Sequence, residues 1–151
     1  MPAKISTIML KKGLMLCSIL YCQSLEGLPN ATENGYPGDE DQGQTSSWYV
    51  LSALGIYSVC PGTDQYVLGS PVFNKTTIAL ENGKEFVIEA NNNSAKNVYI
   101  KSATLNGKLL SRNWLSHTDI TNGGVLHLEM SDQPEKSRGA AMADRPFSLT
   151  K

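Results

Sequence analysis

Asp39, Glu40 and Asp41 stand side by side in "GYPGDEDQGQTSSWY" (Gly35 to Tyr49), within a 151-residue chain of which only 18% is charged. Adjacent carboxylates repel one another, so solvent, a helix N-terminus, a metal ion or a reaction must account for them. In an extended segment Asp39 and Asp41 point the same way, because side chains alternate at period two. Such a pair can share a cation, hold a water, or raise one another's pKa. Asp39-x-Asp41-x-Gly43 also has the look of a calcium loop. The sixth-position Gly and twelfth-position Glu of an EF-hand are absent, and that excludes the EF-hand. On residue types alone two readings stay open: a solvated acidic turn ahead of a helix, or a functional carboxylate pair.

The elements that must position the pair follow directly. Residues 28–44, "LPNATENGYPGDEDQGQ", are loop chemistry, with Asn34-Gly35 and Pro37-Gly38 as turn markers. A helix is expected next, with Thr45, Ser46 or Ser47 as N-cap, "WYVLSAL" (Trp48 to Leu54) as its buried face and Gly55 as its stop. Acid just before a helix start is electrostatically favoured, which is a structural reason for part of the cluster. Gln44 and Trp48 fall within one turn of it. Gln44 can hydrogen-bond a ligand hydroxyl, whereas Trp48 has core packing as its plainer role.

Beyond Gly55 the period becomes strand-like. "IYSVCPG" and "DQYVLGSP" are short β-branched and aromatic runs closed by Pro or Gly. "TTIAL" (Thr76 to Leu80) and "EFVIEA" (Glu85 to Ala90) flank Asn82-Gly83, the signature of a type I′ hairpin turn. "NVYIKSATL" (Asn97 to Leu105) and "KLLSRNWL" flank Asn106-Gly107 in the same way. "VLHLEM" (Val125 to Met130) forms a last strand after Gly123-Gly124, and from Ser131 onward the chain reads as a polar tail. The expected architecture is α+β: a loop, one helix, then an antiparallel, sandwich-like region of six or seven strands.

Whole-chain properties narrow the function classes. The length suits about one domain, and 40% hydrophobic content with a formal charge of −1 is that of a globular protein. Near-neutral charge gives no electrostatic case for nucleic acid or an anionic membrane surface. Cys17, Cys22 and Cys60 are an odd number without zinc-type spacing to His117 or His127, and both histidines read as surface or satisfied residues. Lys4, Lys11 and Lys12 precede the apolar "GLMLCSILYC" (Gly13 to Cys22), which is too short to span a bilayer and resembles a secretory signal, although no small-x-small cleavage site follows. An amphipathic helix, or a segment unrelated to the domain behind it, are the other readings. Sequons at Asn30, Asn74 and Asn92 carry meaning only in a eukaryotic secretory host.

In order along the chain, "GYPGDEDQGQTSSWYVLSALGIYSVCPGTDQYVLGSPVF" and "LENGKEFVIEANNNSAKNVYIKSATLNGK" resemble the C-terminal end of the glycoside hydrolase family 92 α-mannosidases. The resemblance runs from about Asn34 to about Met130. It implies an exo-acting, calcium-dependent hydrolase that removes α-linked mannose, in the α-1,2 linkage, from glycans with inversion. By position it makes Asp41 the general base and Asp39 its partner or alternative, with Asp41 also touching a shared calcium; Gln44 and Trp48, within one turn of the cluster, are then the candidate sugar contacts. The family's fold is a β-sandwich plus an (α/α)6 barrel. The resemblance therefore assigns residues 28–58 to the catalytic loop and last barrel helix, 59–130 to a C-terminal β region and 131–151 to a tail, and leaves 1–27 outside the family.

The same resemblance implies what the chain lacks. The family's acid, a Glu far upstream, has no counterpart here, nor do most calcium ligands. Two hypotheses follow. The chain is the C-terminal piece of a secreted, periplasmic or cell-surface bacterial α-mannosidase, inactive alone and packing against the parent's barrel and sandwich. Alternatively, it is a secreted, non-catalytic β module that binds sugar or calcium.

Overall fold

The computed structural model describes residues 43–60 and 62–148. Among these, the order is α1 (Gln44–Ala53), β1 (Ile56–Tyr57), β2 (Gln65–Leu68), β3 (Lys75–Ala79), β4 (Glu85–Asn91), β5 (Tyr99–Leu105), β6 (Lys108–Leu109), β7 (Trp114–Ser116), α2 (His117–Thr121), β8 (Gly124–Ser131) and a 3-10 turn, Met142–Asp144. The strands form a three-stranded sheet, β1-β2-β7, and a five-stranded sheet, β3-β4-β8-β5-β6. Both sheets feed one core. Ile56, Leu68 and Leu115 come from the smaller sheet, and Phe86, Ile88, Ala103, Leu126, Leu128 and Met130 from the larger.

The helix is present, but it starts earlier than its hydroxyl residues suggest. Its N-cap is Gly43, in the left-handed region at φ 82°, so Thr45, Ser46 and Ser47 lie inside the first turn. A Cβ at Gly43 would meet no atom, so the conformation itself is what calls for glycine there. The expected stop at Gly55 holds: its φ is 80°, and its N–H donates to the Ser52 carbonyl at 2.9 Å. A Cβ on Gly55 would press on the backbone of Pro71 and Gly69 at 3.0–3.1 Å, so this glycine also lets the helix sit close to the chain after β2.

The β region departs from the antiparallel expectation. β4 and β8 pair in parallel, from Phe86–Gly124 to Asn91–Glu129, so the larger sheet is mixed. β8 lies between β4 and β5 because it is eight residues long and buries Leu126, Leu128 and Met130 on one face, which suits a central position. Its entry is fixed by the Asn106-Gly107 turn. Both residues of that turn have positive φ, as a type I′ turn requires, and Asn106 Oδ1 accepts the Val125 N–H at 2.8 Å. A Cβ at Gly124 would fall 2.0 Å from that Oδ1.

The first hairpin forms across Asn82-Gly83, yet only Gly83 has positive φ. Gly83 N–H donates to the Leu80 carbonyl at 3.0 Å, giving a three-residue loop with glycine in the left-handed position rather than a type I′ turn. The second expected hairpin strand splits in two. β6 stays with β5, whereas β7 crosses to the smaller sheet beside β2. The five-residue α2 lies between β7 and β8, opened by a capping box in which Ser116 and Asp119 satisfy each other's backbone N–H.

Candidate functional site

Asp39 and Asp41, the expected base pair, fall outside the described residues. What the structure shows is the platform that follows them. Gly43 provides no side-chain cap, and no acidic residue occupies the first turn of α1. The positive end of this helix therefore has no carboxylate of its own within the helix. Gln44 opens α1 and is exposed, and Trp48, one turn later on the same side, is half-buried. Leu51 and Leu54 of this segment pack on the core, and Ser52 and Ala53 are buried. The core-facing residues of α1 thus lie in its C-terminal half, while Gln44 and Trp48, the two expected sugar contacts, lie in its N-terminal half.

Elsewhere the titratable groups hold structure together. Glu89 accepts from Lys75 Nζ at 2.9 Å and lies 2.9 Å from His127 Nδ1, in a cross-strand row over β3, β4 and β8. Hydrogen bonding from the Lys75 ammonium, with smaller contributions from the Lys75 and His127 charges, holds the Glu89 carboxyl below the usual range. His117 stacks on Tyr66, whose hydroxyl is 3.3 Å from Nδ1. Both histidines therefore have protein partners, as their sequence setting suggests.

Sequence reasoning missed a third cluster. Arg112 donates to Asp119 Oδ2 at 2.5 Å, and its guanidinium lies 4.3 Å from the Trp114 ring centroid. No local motif marks it, because Arg112 and Asp119 meet only when β7 and α2 are in place. Among the described residues no group of three or more His, Cys, Asp or Glu side chains is placed to hold a metal ion. No helix among the described residues is long and apolar enough to cross a membrane.

The catalytic-domain profile of glycosyl hydrolase family 92 matches residues 23–132. The chain belongs to glycosyl hydrolase family 92. Over 89% of its length this family 92 chain superposes on an inverting family 92 mannosidase of Bacteroides thetaiotaomicron, with a TM-score of 0.79 and 46% identity. A second family 92 α-mannosidase of that bacterium, 31% identical, superposes over 93% of the chain with a TM-score of 0.83. A secreted, uncharacterised glycosidase of the fungus Arthroderma benhamiae is 37% identical over 123 residues, 80% of this chain. The chain spans 16% of the fungal relative and 18–19% of the two bacterial structures. The fold it shares with them is the small α+β unit described above.

Proposed function

We propose that this family 92 chain carries the general-base segment of an exo-acting α-mannosidase that hydrolyses α-linked mannose, in the α-1,2 linkage, by inversion. The observation that supports this most is the superposition, over 89% of the chain, on an inverting mannosidase at 46% identity. In an inverting reaction water attacks the anomeric carbon from the face opposite the leaving oxygen. Asp41 takes a proton from that water as the new C–O bond forms. A second carboxylic acid, supplied outside this chain, gives its proton to the departing oxygen as the glycosidic bond breaks. The two carboxyl groups of such a pair stand about 6.5–9.5 Å apart, so acid and base need not be close in sequence.

The base must be ionised near neutral pH, and the positive end of α1, which begins three residues after Asp41 in the chain, favours the carboxylate. Asp39 is its partner or alternative. Gln44, exposed at the first helical position, offers an amide to a sugar hydroxyl, and the half-buried Trp48 offers part of its ring. The same reading includes a calcium requirement, with Asp41 as one contact. The remaining ligands would come from the rest of the catalytic unit.

The substrate class is mannose-containing glycans met outside the cytoplasm, as the secreted fungal relative suggests. Val50, Val72 and Phe73 are each more than half exposed. The Val72 N–H donates to the Ala53 carbonyl at the end of α1, which brings Val72 beside the helix. These side chains are the surface we assign to contact with the rest of the family 92 catalytic unit. The test is a chimaera in which residues 34–130 replace the corresponding segment of the Bacteroides thetaiotaomicron inverting mannosidase. Release of mannose from an α-mannobioside, with loss on Asp41→Asn, supports the reading; an active chimaera indifferent to Asp41 refutes it.

A further inference from the structure

Residues 137–147, expected to be a free polar tail, are docked across the seam between the two sheets. The Arg138 guanidinium donates to the carbonyls of Leu110 at 2.7 Å and Arg112 at 3.0 Å. Asp144 accepts from Ser111 Oγ at 2.8 Å, and its carbonyl accepts the Asn113 N–H at 3.5 Å. Gly139, at φ 66°, lies so close to Asn113 that a Cβ there would be 2.0 Å from its side-chain nitrogen. Residues 110–113 form the crossover by which the chain leaves β6 in the larger sheet and enters β7 in the smaller one. Further on, the Phe147 N–H donates to Gln65 Oε1 on β2 at 2.7 Å.

The hold is polar. Met142 is 81% exposed and Phe147 50%, so the segment buries little apolar surface of its own. Burial also pushes the Arg138 guanidinium pKa down, with the nearby Asp144 charge opposing, so docking places a cation where it is poorly solvated. Three buried N–H donors at this seam, Arg112 Nε, Trp114 Nε1 and Arg138 Nε, have no protein partner. A segment with few apolar contacts and imperfectly satisfied donors opens at a lower free energy than the core it lies on. Pro146 and Phe147 also wall a recess of about 50 Å³ that contains Cys60, Gln65 and Val67.

We propose that residues 137–147 are a strap latched by Arg138, which opens while both sheets stay folded and in doing so uncovers the Cys60 recess. The strap stands apart from the mannosidase reading and is tested without any substrate. In the full wild-type chain, the Asn113 and Phe147 amides should exchange with solvent well before those of Leu126 and Leu128. Peptide-resolved mass spectrometry then follows iodoacetamide alkylation of Cys60, separately from Cys17 and Cys22. Removing a charged donor from two carbonyls in Arg138→Ala should raise the Cys60 rate by about tenfold, with β4 and β8 protection unchanged. An unchanged Cys60 rate in a folded Arg138→Ala variant would overturn the proposal. Wild-type exchange of Asn113 and Phe147 only together with Leu126 and Leu128 would also overturn it. Loss of all core protection in Arg138→Ala would do so too, since the strap would then be part of the global folding unit.

Discussion

Asp41 is followed two residues later by a glycine that only a left-handed backbone explains, and that glycine has no side chain with which to cap the helix's positive end. A serine or aspartate N-cap would satisfy that end locally. Gly43 supplies no such oxygen, and on the proposed reading it is a preceding carboxylate, Asp41, that gains from this positive end. The motif was legible in the sequence because residues 39–48 are contiguous. The role of Gly43 was not, since the hydroxyls of Thr45, Ser46 and Ser47 offered a more conventional cap. Glu89 gives a separate prediction at this scale. Its carboxyl pKa is lowered in the fold, so its contribution to stability is present above the unfolded carboxylate pKa and is lost as pH falls through the lower folded value. Denaturant titrations of Glu89→Gln should therefore show a weaker loss of stability on acidification below about pH 4 than the wild-type chain. Parallel pH profiles for the two proteins would show that the Lys75–Glu89–His127 row contributes nothing.

Among the elements, the helix, its Gly55 stop and the Asn106-Gly107 turn follow from local chemistry, and the sequence shows them. The pairing of β8 does not. Alternation tells which residues of "VLHLEM" face the core, but not that the strand inserts between β4 and β5, because both orientations bury the same side chains. The split of "KLLSRNWL" between two sheets was hidden for the same reason: its partners, β5 and β2, are distant in sequence. At five residues α2 is too short to show a helical period. If β8 is the central strand, Leu128, 1% exposed, is costly to truncate. Leu128→Ala should cost about 2–5 kcal/mol by chemical denaturation. Leu109→Ala, on the edge strand β6 with Leu109 78% exposed, should stay within about 0.5 kcal/mol. Equal costs at the two positions would contradict the strand order.

For the whole molecule, the two sheets and α1 share one core, yet the chain spans less than a fifth of the bacterial mannosidases on which it superposes. The docking of residues 137–147 is not legible in the sequence: a run punctuated by Arg, Ala and Pro has no periodicity to betray it, and Arg138 is held by main-chain carbonyls that any sequence would supply. The Arg112–Asp119–Trp114 cluster escaped notice on similar grounds. The purified chain by itself should release no measurable mannose from an α-mannobioside, with or without calcium. On the proposed reading the general acid lies outside this chain, and its loss alone lowers a rate by about 10²–10⁴-fold. Turnover by the isolated chain that is abolished by Asp41→Ala would show that a complete site resides within it.

Asp41 is proposed here as the base of an inverting mannosidase. Its most direct test is the turnover number of the Bacteroides chimaera carrying residues 34–130, measured with and without Asp41→Asn. An active parent chimaera is expected, with a fall in kcat of about 10²–10⁴-fold on removing the carboxylate and KM little changed. A chimaera that keeps its full kcat after Asp41→Asn would contradict it.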